Sequence, residues 1–485
     1  MTIRSVTQGE QIQALSASTL AFTVCFAVWT IFSIIGIKIK TELGLNDTQF
    51  GILVATPILT GSLSRIFLGV WADQYGGRLI FALQMLTTAF ATFLLTFADT
   101  YLLLLLAALG VGLAGGSFAV GIQYVSTWYP KEKQGTALGI FGVGNVGAAV
   151  TNFGAPLLLA AMGGVWQNVA QLYAIIIAIT AILFFLFTKD DPALAERKEK
   201  GMVHVPFIKQ LEPLKDLQVW RFSLYYFFVF GAFVALALWL PRYYVGAYQL
   251  DLKTAGFLAA CYALPGSVFR ALGGWMSDKF GARKIMYWTF ISCVICTFIM
   301  SYPATDYTVA GIDGPINFNI TIPLWLFVVL TIVLGFFMSL GKAAVYKHIP
   351  VYYPNHVGAV GGIVGLVGGL GGFILPVIFG IMNDLINVWT SCFMLLTFII
   401  TVALSWMHFS IRAEERRQHP TLRTPKYLPE LTAKEANIAA FLEQEALRQR
   451  SELLEQESQQ MLNLANQLKA ESQALKVKSQ QLGTA

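Results

Sequence analysis

The sequence has little charge for its length. Asp, Glu, Lys and Arg make up only 12% of the 485 residues, whereas soluble domains carry about 25%. Hydrophobic residues reach 56% and the mean hydropathy is +0.63, so the chain has more apolar surface than a soluble fold can bury. Most of it is therefore expected to lie in lipid.

Cysteine is also scarce. The five cysteines all lie in apolar stretches, which leaves no disulfide framework and no tetrahedral set of metal ligands. Cys293 and Cys296 form a C-x-x-C pattern on a predicted membrane helix, where two packing thiols are favoured over a redox pair. No nucleophile–base pair stands in the apolar segments either. We expect no enzyme activity, no metal and no cofactor.

The charge that is present does not indicate a nucleic-acid partner. The net charge of +6 is modest and lies mainly in loops and the C-terminal tail, as expected when Lys and Arg orient a membrane protein. A cleavable signal is not expected, because Met1 to Gln13 is polar and the first apolar run is long enough to be a span.

Apolar runs of roughly 20 residues recur along the chain, which is long enough for a helix to cross a bilayer. Runs such as 101–113 lack the alternation of a barrel strand, so helices are favoured. We predict an all-α membrane protein with twelve transmembrane helices in two pseudo-symmetric six-helix bundles. The predicted spans are about 15–37, 48–72, 79–98, 101–127, 135–161, 166–188, 219–245, 254–277, 285–302, 322–349, 357–383 and 387–411.

Four regions follow from these spans. Residues 1–188 form the N-terminal six-helix half and 219–411 the C-terminal half, joined by a polar linker at 189–218 and followed by a tail at 412–485. Basic residues cluster near the span ends on the side of the linker and the tail. That side is therefore predicted to be cytoplasmic, with both termini there, in an inner (cytoplasmic) cell membrane.

One segment occurs twice. Residues 56–78 and 264–284 align at a constant offset, which matches Arg65 with Arg270. Each arginine precedes an aspartate at the helix end by eight residues, so it lies roughly 12 Å inside the bilayer, near mid-depth. A cation there costs about 2.5–3.5 kcal/mol on insertion scales. Two such cations at matched depth indicate a function.

Three explanations of the arginines differ in the partner that they require. A structural tie to a buried carboxylate is disfavoured, because no Asp or Glu stands at mid-depth in the spans. Snorkelling to the surface would need a reach that strains an arginine side chain. The favoured explanation is that Arg65 and Arg270 face each other across a central cavity and bind a small anion, since a guanidinium presents paired donors to an oxyanion.

Glycine is abundant in the fifth and eleventh spans, which also repeat. Dense glycine lets membrane helices approach closely and slide past each other. We assign gating or helix-packing roles to six of these glycines: Gly142, Gly144, Gly147, Gly365, Gly368 and Gly369. Asn145 is the polar exception, and a helix–helix hydrogen bond and a donor to the anion are equally plausible roles for it.

The chain resembles the major facilitator superfamily. Both halves carry a Gly-x-x-x-Asp-x-x-Gly-x-Arg signature, at 69–78 with Asp73 and Arg78 and at 274–283 with Asp278 and Arg283. The glycine-rich segments at 115–147 and 365–376 are more narrowly similar to the nitrate/nitrite porters of NarK type, and the resemblance covers most of 15–410.

The resemblance implies a substrate site. Arg65 and Arg270 match the paired substrate arginines, Phe118 an aromatic lining the anion, and Asn145 the signature asparagine. Tyr226 and Phe230 match the hydroxyl donor and the aromatic of the seventh span, and as i and i+4 residues they share a helix face. Lipid-facing or core packing is otherwise the default for such aromatics.

The tenth span bears on the coupling mechanism. Lys342 stands inside the predicted membrane segment, where a lysine that releases a proton would give nitrate/proton symport. A site with only fixed arginines would give nitrate/nitrite exchange. Symport is slightly favoured. Lys347 and His348 are interpreted as a cytoplasmic helix end.

The tail has a different composition. Leucines or methionine recur every seven residues from 447 to 482, but the column at Glu443, Arg450 and Glu457 is polar, which disfavours a dimeric coiled coil. A long amphipathic helix is favoured, with self-association or a bound partner as the alternative.

Three functions remain open at this point. The first is a secondary active transporter of nitrate that works by alternating access, with nitrite left open as a second substrate. The second is a porter for phosphate or an organic phosphate, which would need further polar contacts. The third is a membrane receptor that transports nothing and signals through its tail.

Overall fold

The computed structural model describes residues 7–190, 192, 194, 215–353, 357–418 and 433–482. The chain divides into two units, Met1–Arg412 and Ala413–Ala485. Residues 191, 193 and 195–214 of the predicted linker lie outside the described residues. The predicted boundaries at 188 and 218 stay predictions.

Twelve helices of the described chain are long and apolar enough to cross a membrane, so the predicted fold class is confirmed. In the first half they are α1 (Gln8–Leu43), α2 (Asp47–Tyr75), α3 (Gly77–Phe97), α4 (Tyr101–Trp128), α5 (Thr136–Ala161) and α6 (Trp166–Phe187). In the second half they are α7 (Leu217–Ala247), α8 (Leu252–Phe280), α9 (Ala282–Met300), α10 (Leu324–Ile349), α11 (Val360–Ile386) and α12 (Ser391–Ala413).

Four helices continue beyond their apolar windows: α5 begins at Lys131, and the other three extend to Leu324–Tyr352 for α10, Val357–Ile386 for α11 and Ser391–Gln418 for α12. The second unit contains a single helix of 50 residues, α13 (Ala433–Leu482).

Equivalent helices of the two halves end at a glycine with the same backbone conformation. Gly76 follows α2 and Gly281 follows α8, with φ of 96° and 88° and ψ of 134° and 133°. Side chains with a Cβ rarely adopt such φ values, so glycine is needed at both turns. At the other end of α2, Asn46 and Gln49 form a reciprocal capping box.

A β-hairpin joins α9 to α10, a region in which the sequence analysis predicted no element. Strand β1 (Thr305–Gly311) pairs antiparallel with β2 (Gly314–Ile320). The signal that was missed is the Gly-Ile-Asp-Gly turn between two segments rich in β-branched and aromatic residues. We call the end of the bundle with this hairpin the hairpin side, and the end at residues 190 and 215 the linker side.

Several spans depart from regular α-helix near their middle. α4 contains a 3-10 segment, Gly112–Gly116, and α5 another, Val143–Val146. α7 contains a π segment, Phe227–Ala232, and α8 is interrupted at Phe269. Such interruptions change the direction of side chains, and π segments are frequent at functional sites. All four lie beside residues predicted to bind the substrate.

The two halves contact each other mainly through α2 with α11 and α5 with α8. Glycine allows the close approach. A Cβ at Gly51 of α2 would collide with the carbonyl of Pro376 in α11, and one at Gly256 of α8 with the carbonyl of Asn152 in α5. The interface is therefore built from backbone in contact with backbone, as expected for membrane helices.

Candidate functional site

Arg65 is buried in the middle of α2, with 8% of its surface exposed. Its Nε donates to the carbonyl of Gly115 at 3.2 Å and its Nη1 to the carbonyl of Gly365 at 3.1 Å. The first acceptor belongs to its own half and the second to the other half. The guanidinium carbon lies 5.3–5.6 Å from the ring centroids of Trp29, Phe118 and Phe230.

Arg270 is the equivalent residue of α8, with 6% of its surface exposed. Its guanidinium carbon lies 5.4 Å from the ring centroid of Phe118 and 5.9 Å from that of Tyr346. Its Nη1 is buried and has no hydrogen-bond partner among the described residues. A buried donor without a partner is costly, so this atom is suited to an acceptor that comes from outside the protein.

Phe118 brings the two arginines to one place. Both guanidinium carbons lie within 5.4 Å of its ring centroid, so they are at most about 11 Å apart. Within the described residues neither arginine forms an ion pair with a carboxylate, and both side chains are inside the bundle. The geometry thus resembles neither a structural tie to Asp or Glu nor a side chain that reaches to the lipid surface.

A group of aromatic residues surrounds the arginines. Tyr226 and Phe230 stack with ring centroids 5.1 Å apart and planes 12° from parallel, and Tyr346 meets Tyr226 edge-on at 4.9 Å. The Tyr346 hydroxyl donates to the carbonyl of Gly361 at 3.3 Å. The Tyr226 hydroxyl is buried and has no partner among the described residues. It is a second free donor in the site.

Further polar atoms without partners lie on the helices that form the site. Both amide atoms of Asn145 are buried and unsatisfied within the described chain, as is the hydroxyl of Ser62. The segment that carries Asn145, Val143–Val146, packs against Pro265–Val268, just before Arg270. No described residue forms the helix–helix hydrogen bond considered for Asn145. Its role as a donor to the anion stays a prediction.

Four of the predicted glycines contact site residues directly. A Cβ at Gly142 would lie 2.9 Å from Arg270 Cδ, and one at Gly365 2.9 Å from the Tyr346 hydroxyl. Cβ atoms at Gly368 and Gly369 would collide with the Tyr226 ring and with Ser62. The other two, Gly144 and Gly147, pack against Phe22 and against the backbone at Thr23. A role in gating is not tested by these contacts.

The signature residues lie at the linker side. Arg78 donates to the carbonyl of Phe185 and lies 3.5 Å from Asp190, so it links the start of α3 to the end of α6. Asp278 pairs with Lys347 and links α8 to α10. Asp73 lies near the end of α2 and Arg283 near the start of α9.

Lys342 lies close to the site. Its side chain is fully buried, and its Nζ donates to the carbonyl of Gly266 at 2.7 Å and lies 3.0 Å from the ring centroid of Phe233. Gly266 is one helical turn before Arg270 in α8. No carboxylate of the described chain pairs with Lys342, which is therefore a third basic side chain near Arg270 without an acidic partner. His348, in contrast, packs against Phe222 and bonds to the carbonyl of Ala344.

A polar cluster joins the halves at the hairpin side. Asp47 of α2 accepts hydrogen bonds from Arg242 of α7 and Asn383 of α11, each at 3.1 Å, and pairs with Lys40 of α1 at 3.1 Å. Below it, Trp239 packs against Phe50 and Phe379 with centroids 5.7 and 5.8 Å away. The halves are thus held together at this end.

Sequence reasoning missed two aromatic residues of the site, Trp29 and Tyr346. Tyr346 is four residues after Lys342, and this spacing on one helix face was the available signal. Trp29 gave no such signal, because its place beside Arg65 depends on the packing of α1 against α2. Its Nε1 donates to the carbonyl of Pro57 at 2.8 Å.

Comparisons with known proteins give the family of the chain. The family model described as Major Facilitator Superfamily matches residues 17–314 and 314–454. A "Probable nitrate/nitrite antiporter NarK1" of Thermus thermophilus is 43% identical over 415 residues, which cover 83% of this chain and 92% of that protein. The chain belongs to the NarK-type nitrate/nitrite porter family of the major facilitator superfamily.

Other relatives match this porter over similar lengths. A "Nitrite extrusion protein" of Bacillus subtilis is 31% identical, covering 82% of the porter and 95% of the relative. A "Probable nitrate transporter NarT" of Staphylococcus haemolyticus is also 31% identical, covering 81% and 95%. The structure of a bacterial homologue of the lysosomal transporter Spinster has a TM-score of 0.62 at 17% identity, covering 84% of the porter and 98% of that chain, which supports the fold alone. The porter is therefore a multi-pass cell-membrane protein.

Proposed function

We propose that this porter carries nitrate, and nitrite as a second substrate, across the cytoplasmic membrane by alternating access. One observation carries the proposal. Two buried arginines, one from each half, lie over the same Phe118 ring, and neither has a carboxylate partner among the described residues. Their missing counter-ion is a small anion from solution.

The shape of the site favours a flat oxyanion. A guanidinium has five N–H donors, and Arg65 uses two of them on Gly115 and Gly365, so three remain. The free donors on Arg270 and Tyr226 add to these. Aromatic rings surround the donors and exclude water, while a planar fork bonds two oxygens of a planar anion at once. A phosphate ester would need further polar groups in place of these rings.

Alternating access follows from the position of the site between the halves. The anion neutralises positive charge contributed by both halves, so loading favours the conformations in which α2 and α8 are close. The cluster around Asp47 holds the hairpin side shut in the conformation described, and it has to separate before the site opens there. The two six-helix halves then move about the central site.

Two modes of coupling are compatible with these residues. Lys342 supports proton symport, because an amine beside Arg270 can release a proton, whereas a guanidinium keeps its charge. Arg65 and Arg270 alone support exchange. A permanently positive site changes its exposure from one face of the membrane to the other more easily when an anion is bound. For orientation, the basic residues at the linker side support a cytoplasmic location for both termini.

Uptake into proteoliposomes tests the proposal. Purified protein should accumulate nitrate, and excess phosphate should not compete. Stimulation by an inward proton gradient would indicate symport, and stimulation by nitrite loaded inside would indicate exchange. Uptake that phosphate inhibits as strongly as unlabelled nitrate would contradict the assignment of the substrate. Absence of any nitrate uptake under both conditions would favour a receptor.

A further inference from the structure

The 50-residue helix α13 has a regular apolar stripe that no other described residue of its own unit covers. Leucine or methionine recurs every seven residues, and each of these side chains is 55–70% exposed. The stripe consists of Leu447, Leu454, Met461, Leu468 and Leu475. Exposed leucines do not stabilise a single helix in water. The stripe therefore indicates a surface that binds a partner.

The strict seven-residue period indicates what kind of surface binds it. A straight α-helix has 3.6 residues per turn, so a seven-residue column drifts by about 20° per repeat, or about 80° from Leu447 to Leu475. A flat surface such as a bilayer contacts only part of such a column. A second helix that supercoils around the first contacts all of it. The stripe thus fits a helical partner.

The neighbouring column defines the seam. Three residues after the five stripe residues come Arg450, Glu457, Leu464, Glu471 and Lys478, four of them charged residues that a seam would bury at a cost. Four residues after each leucine come only small residues: Ser451, Ser458, Ala465 and Ser472. If the leucines occupy position d of the heptad, these small residues occupy position a and the charged ones flank the seam. In this register no charged column lies in the seam, so the charged residues no longer disfavour a coiled coil.

The flanking charges identify the partner as a second copy in parallel orientation. In a parallel pair each g residue faces the e residue five positions on in the other chain. That rule sets Glu443 against Arg448, Arg450 against Glu455 and Glu471 against Lys476, three opposite-charge pairs without a like-charge pair. An antiparallel pair centred on residue 463, with Met461 opposite Ala465, sets Glu457 against Glu471 and Arg448 against Lys476, which repel, and only Glu455 against Lys469 attracts.

The membrane favours the same arrangement. All copies inserted with one topology have their tails on one face of the bilayer, and restriction to that face raises the effective concentration of one tail near another. We propose that α13 forms a parallel two-stranded coiled coil with α13 of a second copy of this chain, so that two porters are held together through their tails. This inference goes beyond transport and does not depend on the substrate.

Disulfide cross-linking of the full chain in cell membranes tests the proposal. Ser458→Cys stands in the seam, where equivalent residues of a parallel pair face each other, and Gln456→Cys, two residues earlier, points outward as the matched control. Wild type gives the background, since its five native cysteines lie in the spans. Mild oxidation should give several-fold more covalent dimer for Ser458→Cys than for Gln456→Cys.

Two changes in the Ser458→Cys background examine the seam and the orientation. Leu454→Glu with Leu468→Glu should abolish the dimer, and nitrate uptake should be unchanged. Arg450→Glu should reduce the dimer, and adding Glu455→Arg should restore it. Equal cross-linking at 456 and 458, or a dimer insensitive to the leucine changes, would overturn the proposal. Failure of the charge exchange to restore the dimer would overturn the parallel orientation.

Discussion

Replacing Arg65 with lysine keeps the positive charge and removes the planar fork of donors. The variant therefore distinguishes the effect of donor geometry on anion binding from the effect of charge. Arg65 uses two donors on the carbonyls of Gly115 and Gly365 and has three left for the anion. A lysine ammonium has three donors on one atom. If it bonds to both carbonyls, only one donor remains for the anion, and if it turns to the anion, a buried carbonyl loses its partner.

The structure sets the expected size of the effect. One lost hydrogen bond to a charged group costs about 1.5–3 kcal/mol, and an unsatisfied buried carbonyl costs about 1–3 kcal/mol. Only one of the two losses occurs at a time, and its upper value of about 3 kcal/mol corresponds to about a 100-fold loss in kcat/KM for nitrate. Initial rates of uptake into proteoliposomes over a range of nitrate concentrations measure this loss, and thermal unfolding checks that the variant is folded.

Arg221→Lys is the matched control. Arg221 is as deeply buried, with 7% of its surface exposed, but it lies in the linker-side part of α7 and not over the Phe118 ring. Its lysine variant should transport nitrate at a rate close to that of the wild type. A folded Arg65→Lys variant with a kcat/KM within a few-fold of wild type would refute the reasoning that the fork binds the anion.

Three further predictions concern other parts of the porter. Tyr226→Phe removes a hydroxyl that bonds to no described residue, so nitrate KM should rise about three- to tenfold with unchanged thermal stability; an unchanged KM would contradict its role as a donor. Gly368→Ala drives a methyl group into the Tyr226 ring, so the free energy of unfolding should fall by about 1–3 kcal/mol and nitrate binding measured by calorimetry should weaken, whereas Gly362→Ala, with open space around its Cβ, should change neither. Asp47→Asn weakens closure at the hairpin side by about 3 kcal/mol, so maleimide labelling of Phe379→Cys from that side should increase; unchanged labelling would show that the cluster is not a gate.

Much of the fold could be predicted from the sequence, because a helix needs about 20 apolar residues to cross the bilayer. Apolar runs of fixed length predicted the twelve spans, and the repeat predicted Arg65 and Arg270 at equal depth. Phe118, Tyr226 and Phe230 came from a resemblance to a family. The structure places these residues together around the arginines, while their roles in binding stay predictions.

Other features depend on packing that a single sequence does not encode locally. Aromatic residues make up 13% of the chain, so composition did not distinguish Trp29 and Tyr346 from lipid-facing rings. The π segment Phe227–Ala232 arises from hydrogen bonds shifted by one residue, for which no residue type is diagnostic. Asp47 stands just before the predicted second span, and its partners Arg242 and Asn383 come from the other half.

The central claim is that one small anion is the counter-ion shared by Arg65 and Arg270. The most direct measurement is an experimental density map of the porter prepared with nitrate. It should show one planar anion within about 2.7–3.2 Å of donors on both guanidinium groups, beside the ring of Phe118. Nitrate bound elsewhere, or a carboxylate in contact with either arginine, would contradict the claim.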